Sequence, residues 1–259
     1  MYTVNSIRNI CLLGHSGSGK TALAESLLYM TGAIDRIGKN ADGNTVCDYD
    51  PEEIRRHISI STSVVPLEYH NVKINLLDTP GAFDFSGAVM EALRAADAAI
   101  LKNLESLPEF AEAPVIAAYA SDGTEPDLMP LLRRAAGTGK TICLPRWLND
   151  SNYEMAVLDG DFKTVSGKWN MPEPPPDAPP AETQLLERAL WLVPGVAFDE
   201  NCARLGRGKG IYDRLLAGTK GVSAGIFYDC QQTAGLPTEP HDRPLDIVVT
   251  ESQVRRRKQ

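Results

Sequence analysis

The sequence has few cysteines, and none of them form a C-x-x-C pair. Five occur in 259 residues at scattered positions, namely Cys11, Cys47, Cys143, Cys202 and Cys230. This odd, unpatterned set excludes a cysteine metal site and indicates reduced thiols in a reducing compartment.

Long apolar runs are also missing. No stretch approaches the ~18 apolar residues that a membrane span needs. The N-terminus, Met-Tyr-Thr-Val-Asn-Ser, lacks the charged-then-apolar order of a signal peptide. We therefore expect a soluble, cytoplasmic protein without a membrane partner.

The chain has fewer basic than acidic side chains, with 26 Lys and Arg and 34 Asp and Glu, so its net charge is −8. This balance argues against wrapping duplex nucleic acid and against a ribosome contact, although a local basic patch is compatible with it. With 43% apolar and 23% charged residues, the chain is ordinary for a protein with a buried core, which excludes disorder, collagen and a coiled coil. Its length predicts one large domain or two modest ones.

Short apolar runs alternate with helix-like segments along the chain. The predicted strands are 7–13, 59–67, 72–77, 115–119, 141–144, 190–193, 225–228 and 246–249. The predicted helices are 21–30, 86–104, 127–136 and 211–217. Strands that alternate with helices throughout predict an α/β fold with largely parallel sheets.

Three segments do not follow this alternation. Residues 35–56 are polar and rich in Gly and Asp, which predicts an exposed, mobile loop. Residues 172–180 contain too many prolines for a helix or a central strand and predict a loop or polyproline II. The basic run 255–258 predicts a solvated end rather than a targeting or nucleic-acid signal.

A phosphate-binding loop is predicted near the N-terminus. Residues 14–21, Gly-His-Ser-Gly-Ser-Gly-Lys-Thr, fit G-x-x-x-x-G-K-[ST] in full and lie between a predicted strand and helix. Gly14 and Gly19 allow the backbone N–H groups to face a phosphate, Lys20 would reach the β- and γ-phosphates, and Thr21 would ligate Mg²⁺. The alternative is a chance glycine-rich turn.

The next motif, Asp78-Thr79-Pro80-Gly81, follows a predicted strand. Asp78 can bind Mg²⁺ through water, and the N–H of Gly81 can meet a γ-phosphate. Together with GHSGSGKT, EEIRRHISISTS and INLLDTPGAFDF, it resembles the GTPase domain of translation elongation factor G over residues 5 to about 98. The resemblance implies a Mg²⁺ ligand at Ser59.

The chain departs from that family at two points that concern chemistry. Ala82 stands where translational GTPases have the histidine that helps to position the attacking water, and the guanine-reading N-K-x-D is absent. GTP and ATP therefore remain alternatives for the first loop. The segment corresponds to about half of a GTPase domain, which predicts uncovered sheet edges.

A second glycine-rich loop lies in the C-terminal half. Residues 204–213, Arg-Leu-Gly-Arg-Gly-Lys-Gly-Ile-Tyr-Asp, place three glycines and three cations before a predicted helix. Alternate glycines allow successive N–H groups to form an anion-binding nest, and Arg207 and Lys209 add charge for a polyanion. The alternative is a flexible surface turn.

Six segments together resemble 5-formyltetrahydrofolate cyclo-ligase from about residue 101 to Glu251. They are LPEF, GTEPD followed by LMPLLRRA, GKTICLPR, VPGVAFD, RLGRGKGIYDRLL and LPTEPHDRPLDIVVTE. The resemblance implies a three-layer, mostly parallel sheet that binds MgATP and 5-formyltetrahydrofolate. It also implies phosphoryl transfer to the N5-formyl oxygen, then ring closure to 5,10-methenyltetrahydrofolate with release of ADP and phosphate.

The resemblance implies roles for residues of the second loop and its surroundings. The triphosphate would be held by Arg204, Gly206, Arg207, Gly208, Lys209 and Gly210. Catalytic groups would be Arg207, Lys209 and Tyr212, and Mg²⁺ ligands would be Asp213 and Asp242. Substrate contacts would be Glu125 with the folate and Arg146 with an anion.

Several of these residues also have a purely structural explanation. Asp213 fits an exposed carboxylate in the first turn of a helix, and Asp242 fits a turn former between two prolines. His241 fits an exposed turn residue. Trp147 and Trp169 fit packing as well as stacking on a pterin.

The two resemblances predict two domains, an elongation factor G-like segment over 1–98 and a cyclo-ligase-like domain over 99–259. Two departures from the cyclo-ligase family stand out. Ile211 replaces one aromatic of the usual Gly-Tyr-Tyr-Asp, and the elongation factor G-like segment occupies the place of the family's N-terminal basic helix. We therefore predict a cyclo-ligase, with a nucleotide-binding switch module or a fusion impaired at both sites as alternatives.

Overall fold

The computed structural model describes residues 2, 6–82, 86–149, 152–168, 171–239 and 242–258. The chain divides into two compact units, Met1–Ala95 and Ala96–Gln259. None of the helices in these described ranges is long and apolar enough to cross a membrane.

The first unit is built on a three-stranded sheet with two helices. Its elements are β1 (Ile7–Leu12), α1 (Lys20–Met30), α2 (Pro51–Arg56), β2 (Ser63–Tyr69) and β3 (Val72–Asp78). The strand order is β1-β3-β2, with β1 parallel and β2 antiparallel to β3. Two residues with positive φ, His70 and Asn71, join β2 to β3, as the right-handed twist of a tight hairpin requires.

Parallel pairing of β1 and β3 places the two phosphate motifs at one edge of this sheet. Leu12 lies opposite Asp78, so the chain leaves both strands at the same end. Ala24 and Leu28 of α1 pack with Leu76 in the core, which places the start of α1 beside that edge. Among the described residues no strand pairs with the other edge of β1, and Ile10 is 43% exposed, as expected for half a domain.

The expectation of an exposed loop over 35–56 is wrong for part of that segment. It contains a short 3-10 helix, Asn40–Asp42, and α2, and it buries Cys47, Asp48 and Glu53. The buried carboxylate of Glu25 accepts the N–H groups of Gly38 at 2.8 Å and Val46 at 2.5 Å. This polar segment is ordered because the buried carboxylate of Glu25 accepts hydrogen bonds from its backbone N–H groups.

The second unit is built on a seven-stranded sheet of order β14-β13-β12-β9-β4-β5-β6. Its strands are β4 (Val115–Ala117), β5 (Thr141–Asn149), β6 (Asn152–Val157), β9 (Ala189–Val193), β12 (Val222–Ile226), β13 (Ile247–Val249) and β14 (Val254–Arg256). Five central strands are parallel, and an antiparallel strand closes each edge. This confirms the mostly parallel α/β sheet.

Helices and two small hairpins precede or connect the strands of this sheet along the chain. The helices are α3 (Ser86–Glu105), α4 (Pro108–Glu112), α5 (Met129–Gly137), α6 (Thr183–Leu186) and α7 (Ile211–Leu215). The hairpins pair β7 (Val165–Ser166) with β8 (Pro172–Glu173) and β10 (Ala197–Phe198) with β11 (Arg204–Leu205). The boundary between the two units falls within α3.

Strand boundaries differ from the sequence prediction at two places. The strand expected to end at Leu144 continues through Pro145 to Asn149. The proline is tolerated because β4 pairs with β5 only as far as Cys143, so one side of the strand no longer needs an N–H donor.

The second difference concerns the basic tail, whose residues 256–258 are exposed as expected but which also contributes a short strand that was not predicted. Val254–Arg256 forms the edge strand β14, and Arg256 pairs with Glu109 at 2.5 Å. A charged edge strand of this kind discourages pairing with another chain.

Candidate functional sites

The first glycine loop closes around its own lysine. It joins β1 to α1, and Gly17 and Gly19 adopt φ of 78° and 86°, a left-handed conformation that favours glycine. Lys20 Nζ donates to the carbonyl oxygens of Gly14 at 2.9 Å and His15 at 3.1 Å. The ammonium therefore lies inside the curl that the motif predicts for a phosphate.

Hard oxygen atoms gather beside this loop. Thr21 Oγ1 donates to Asp78 Oδ2 at 2.6 Å and lies 3.3 Å from Ser59 Oγ. Burial raises the pKa of Asp78, although the Thr21 hydrogen bond acts against the shift. Oδ1 of Asp78 is buried without a hydrogen-bond partner among the described residues. Two hydroxyls and a carboxylate with an unused oxygen fit Mg²⁺.

Gly81 approaches the loop so closely that no side chain would fit. A Cβ at this position would lie 2.5 Å from Ser16 N and 2.6 Å from Lys20 Nζ. The structure thus brings together the predicted residues Lys20, Thr21, Asp78 and Gly81.

Sequence analysis missed Asp48, which lies near the same cluster. It is buried, burial raises its pKa, and a hydrogen bond with Ser59 acts against that shift. Asp48 lies in the polar segment 35–56, which was predicted to be exposed, so no sequence pattern indicated its burial.

The second glycine loop connects β11 to α7. Gly208 and Gly210 adopt φ of 74° and 60°, and Arg214 Nη2 donates to Lys209 O at 3.0 Å. Arg207 and Lys209 are exposed on this loop. The left-handed glycines and the exposed cations match the anion-binding nest that the sequence predicts.

Arg204, the first cation of this loop, is buried in an ion pair. Its side chain is 6% exposed, and its Nη2 lies 2.6 Å from Asp213 Oδ1. The guanidinium also lies 5.9 Å from the centre of the Tyr212 ring. Asp213, predicted as a Mg²⁺ ligand, is therefore already paired with a cation.

Asp242, the other predicted ligand, supports a turn. Its Oδ2 accepts the N–H of Glu239 at 2.7 Å. Within the described ranges no group of three or more His, Cys, Asp or Glu side chains could hold a metal ion. The protein side chains alone do not fit a Mg²⁺ centre in this unit, and the metal roles of Asp213 and Asp242 stay predictions.

An acidic turn faces the second loop. Arg207 Nη2 lies 2.8 Å from Asp122 Oδ2 and 3.5 Å from Glu125 Oε1, and it donates to Thr124 Oγ1 at 2.7 Å. One guanidinium therefore ties the turn after β4 to the loop before α7, and it brings the predicted residues Glu125 and Arg207 together.

Two buried polar atoms near this turn lack hydrogen-bond partners among the described residues, Glu125 Oε2 and Tyr212 Oη. Burial and the charge of Asp122 raise the pKa of Glu125, while Arg207 opposes the shift. Burial and the charge of Glu125 raise the pKa of Tyr212. Buried polar groups normally have partners, so these two oxygens are available to a ligand.

Arg146, predicted to contact an anion, is engaged within the protein. Its guanidinium contacts Glu154 at 2.5 Å. It also donates to the carbonyl oxygens of Pro175, Pro176 and Ala178 at 2.8, 3.0 and 2.9 Å. These contacts fasten the proline-rich segment to β5 and β6, which favours a structural role for Arg146.

A cavity of about 490 Å³ lies beside that segment. Trp147 forms part of its wall, and Lys168 Nζ lies 4.8 Å from the centre of the indole ring. Glu173, which is buried, accepts the N–H groups of Trp147 at 2.9 Å and Lys168 at 3.2 Å. The volume of the cavity suits a small planar molecule. Trp169 and His241 lie outside the described residues.

Further acidic residues follow β12 and β13 at the carboxyl edge of the sheet. Tyr228 Oη donates to Asp97 Oδ1 at 2.7 Å, and Glu251 Oε2 accepts the N–H of Asp229 at 2.9 Å. Burial raises the pKa of Glu251. Ligands of open α/β sheets bind outside this edge. The sequence signal for these residues was their position directly after predicted strands.

The first unit is similar to translation-factor GTPases. The model of the elongation factor Tu GTP binding domain family matches residues 5–102. An elongation factor G-like protein of Mycobacterium tuberculosis is 47% identical over 94 residues, which cover 36% of this chain and 13% of that protein. One from Synechocystis is 41% identical over 99 residues, 38% and 15% of the respective chains. The chain therefore spans a small fraction of the curated relatives it matches.

The second unit matches a different group. The NMR structure of Aquifex aeolicus 5,10-methenyltetrahydrofolate synthetase is 33% identical, with a TM-score of 0.57, over 65% of this chain and 84% of that one. The 5-formyltetrahydrofolate cyclo-ligase family model matches residues 86–251, more than half of the chain. The chain belongs to the 5-formyltetrahydrofolate cyclo-ligase family.

Proposed function

We propose that residues 99–259 convert 5-formyltetrahydrofolate to 5,10-methenyltetrahydrofolate with hydrolysis of ATP to ADP and phosphate. The observation that carries the proposal is the contact of Arg207, on the cationic glycine loop, with the partly buried Glu125. Glu125 Oε2 and Tyr212 Oη are buried atoms that lack hydrogen-bond partners among the described residues. This arrangement offers charge for a triphosphate next to polar atoms for a second ligand.

The proposed reaction has two steps. The N5-formyl oxygen attacks the γ-phosphorus, the bond to the ADP oxygen breaks, and an iminium phosphate forms. N10 then attacks the formyl carbon and loses its proton, and the carbon–oxygen bond breaks to release phosphate. In both steps negative charge develops on a leaving phosphate oxygen, so fixed cations around the phosphates lower the barrier.

Each part of the second loop has a proposed role in this reaction. Arg207 and Lys209 neutralise charge on the transferring phosphoryl group, and the N–H groups of Gly206, Gly208 and Gly210 hold the triphosphate. Mg²⁺ would accompany the nucleotide on its phosphate oxygens.

The folate is proposed to lie between Glu125 and the cavity beside Trp147. Tyr153 of β6 lies opposite Trp147 of β5 in the strand register. Trp147 offers a flat face for a pterin, and Glu125 offers an acceptor for its N–H groups.

The proposal is tested by incubating the full chain with MgATP and 5-formyltetrahydrofolate. We expect methenyltetrahydrofolate, followed by its absorbance, and ADP in equal amounts, with no product when ATP is omitted. Folded protein that forms no product at high concentration would reduce the conclusion to a shared fold.

A second function is supported by the first loop. We propose that the first unit, within residues 1–98, binds a nucleoside triphosphate, ATP or GTP, with Mg²⁺. Lys20 already lies within the loop, and Thr21, Ser59 and Asp78 supply oxygens for the metal. Ala82 occupies the position of a water-positioning histidine, so binding is proposed here without hydrolysis.

Replacing Lys20 with alanine should weaken nucleotide binding at this loop by ~10–100-fold, because a charge-assisted contact to the phosphates is lost. Titration with fluorescent ATP and GTP analogues measures the effect. Lys209→Ala is the matched control, since it removes a glycine-loop lysine of the other unit and should leave this binding intact. Binding that survives Lys20→Ala but is lost in Lys209→Ala would contradict the assignment.

A further inference from the structure

Arg207 is held by a turn that is itself acidic. Three groups of residues 122–125 contact its guanidinium: the carboxylate of Asp122, the hydroxyl of Thr124 and the carboxylate of Glu125. The Arg207 side chain is nevertheless 54% exposed. It is therefore fixed on one side and open to solvent on the other.

The turn is built to present one oxygen of Asp122 to this arginine. Asp122 Oδ1 accepts both the N–H of Thr124 at 2.9 Å and its hydroxyl at 2.6 Å, which leaves Oδ2 for Arg207 at 2.8 Å. Burial raises the pKa of Asp122, but hydrogen bonds from Thr124 and Arg207 outweigh it, and the pKa lies below its ordinary value. Asp122 is thus a fixed anion at neutral pH.

We propose that Asp122 is a positioning residue that holds Arg207 over Glu125 and competes with the incoming triphosphate for its guanidinium. The inference rests on the proposed function of the second loop. A guanidinium forks to two oxygens, and Asp122 occupies part of the fork that a phosphate would use. Its negative charge also repels the phosphate locally.

The same contact benefits the reaction after the nucleotide has bound. Asp122 and Thr124 fix the turn that carries Glu125. They therefore hold the guanidinium of Arg207 close to the carboxylate of Glu125. Loss of the Asp122 charge should therefore tighten ATP binding and slow turnover. A residue that merely supported folding would not raise the affinity for ATP while lowering the turnover number.

The test uses Asp122→Asn in the full chain, in a Lys20→Ala background that removes the first loop from the measurement. Asparagine keeps an oxygen acceptor for Thr124 and replaces the oxygen that faces Arg207 by an amide NH2, so it removes both the charge and the acceptor for Arg207. We expect the calorimetric Kd for MgATP to fall about 3- to 10-fold at low ionic strength, with a smaller difference at high salt. The kcat should fall roughly 10-fold, because Arg207 and Glu125 are less well positioned.

Two further variants isolate the contact. Asp161→Asn removes an exposed aspartate that lies 3.5 Å from Lys163 and should change neither constant. In an Arg207→Ala background, Asp122→Asn should no longer tighten ATP binding. The inference is overturned if Asp122→Asn leaves the Kd for MgATP unchanged or larger. It is also overturned if Asp122→Asn still tightens ATP binding in the Arg207→Ala background. Absence of ATP binding in the parent would overturn the proposed function, and this inference with it.

Discussion

Replacement of Lys209 with alanine is expected to slow methenyltetrahydrofolate formation by roughly 100- to 1000-fold, the loss seen when a group that stabilises developing charge is removed. Lys209 lies between two left-handed glycines, Gly208 and Gly210, so the loop presents it at an exposed tip. Phosphoryl transfer depends on fixed cations around the phosphate. Initial rates at saturating ATP and folate measure the change.

Matched lysine variants separate this role from a general effect of charge. Lys220, which is exposed and lies 3.7 Å from Glu187, should tolerate alanine without loss of rate. Lys209→Arg should recover part of the rate, because it restores the charge at the same place. Full activity in Lys209→Ala, with loss only in Arg207→Ala, would move the charge-neutralising role to Arg207 alone.

The phosphate loop was predictable because its geometry is local. Its glycines, Lys20 and the start of α1 are consecutive in the chain, and they fold as the motif predicts. Asp78 and Gly81 join them because β1 and β3 are parallel neighbours. The glycine loop of the second unit was likewise found from consecutive residues.

Partners separated along the chain were not predictable in the same way. The family resemblance implied a triphosphate contact at Arg204 and a Mg²⁺ ligand at Asp213, yet packing of α7 pairs the two side chains with each other. Arg146 contacts carbonyl oxygens about thirty residues further on, and no local pattern marks them. Such contacts depend on how loops fold over the sheet.

Short edge elements were missed for another reason. β7 and β8 have two residues each, too few to show a period, yet they frame the cavity with Lys168 and Glu173. The burial of Asp48 was not predicted because its segment is polar. The segment is ordered by the carboxylate of Glu25, which accepts backbone N–H groups, and not by packing of apolar side chains. Periodicity detects apolar burial and has no signal for burial of this kind.

Replacement of Arg204 with alanine is expected to destabilise the second unit by about 3–5 kcal/mol, the loss typical of a broken buried ion pair. Arg204 is 6% and Asp213 25% exposed, so the remaining carboxylate would lose its partner in a largely desolvated place. Tryptophan fluorescence during urea unfolding measures the effect on this unit alone, because Trp147, Trp169 and Trp191 all lie within it.

Arg134 provides the matched control, because it pairs with Glu105 at 2.8 Å on the surface, and Arg134→Ala should cost less than about 1 kcal/mol. A joint replacement, Arg204→Met with Asp213→Leu, should regain much of the lost stability, since apolar residues can replace a buried pair. Unfolding without nucleotide isolates the ion pair from any phosphate contact of Arg204. If Arg204→Ala keeps the wild-type urea midpoint but no longer binds ATP, Arg204 acts on the nucleotide, and its pair with Asp213 is not what holds α7 in place.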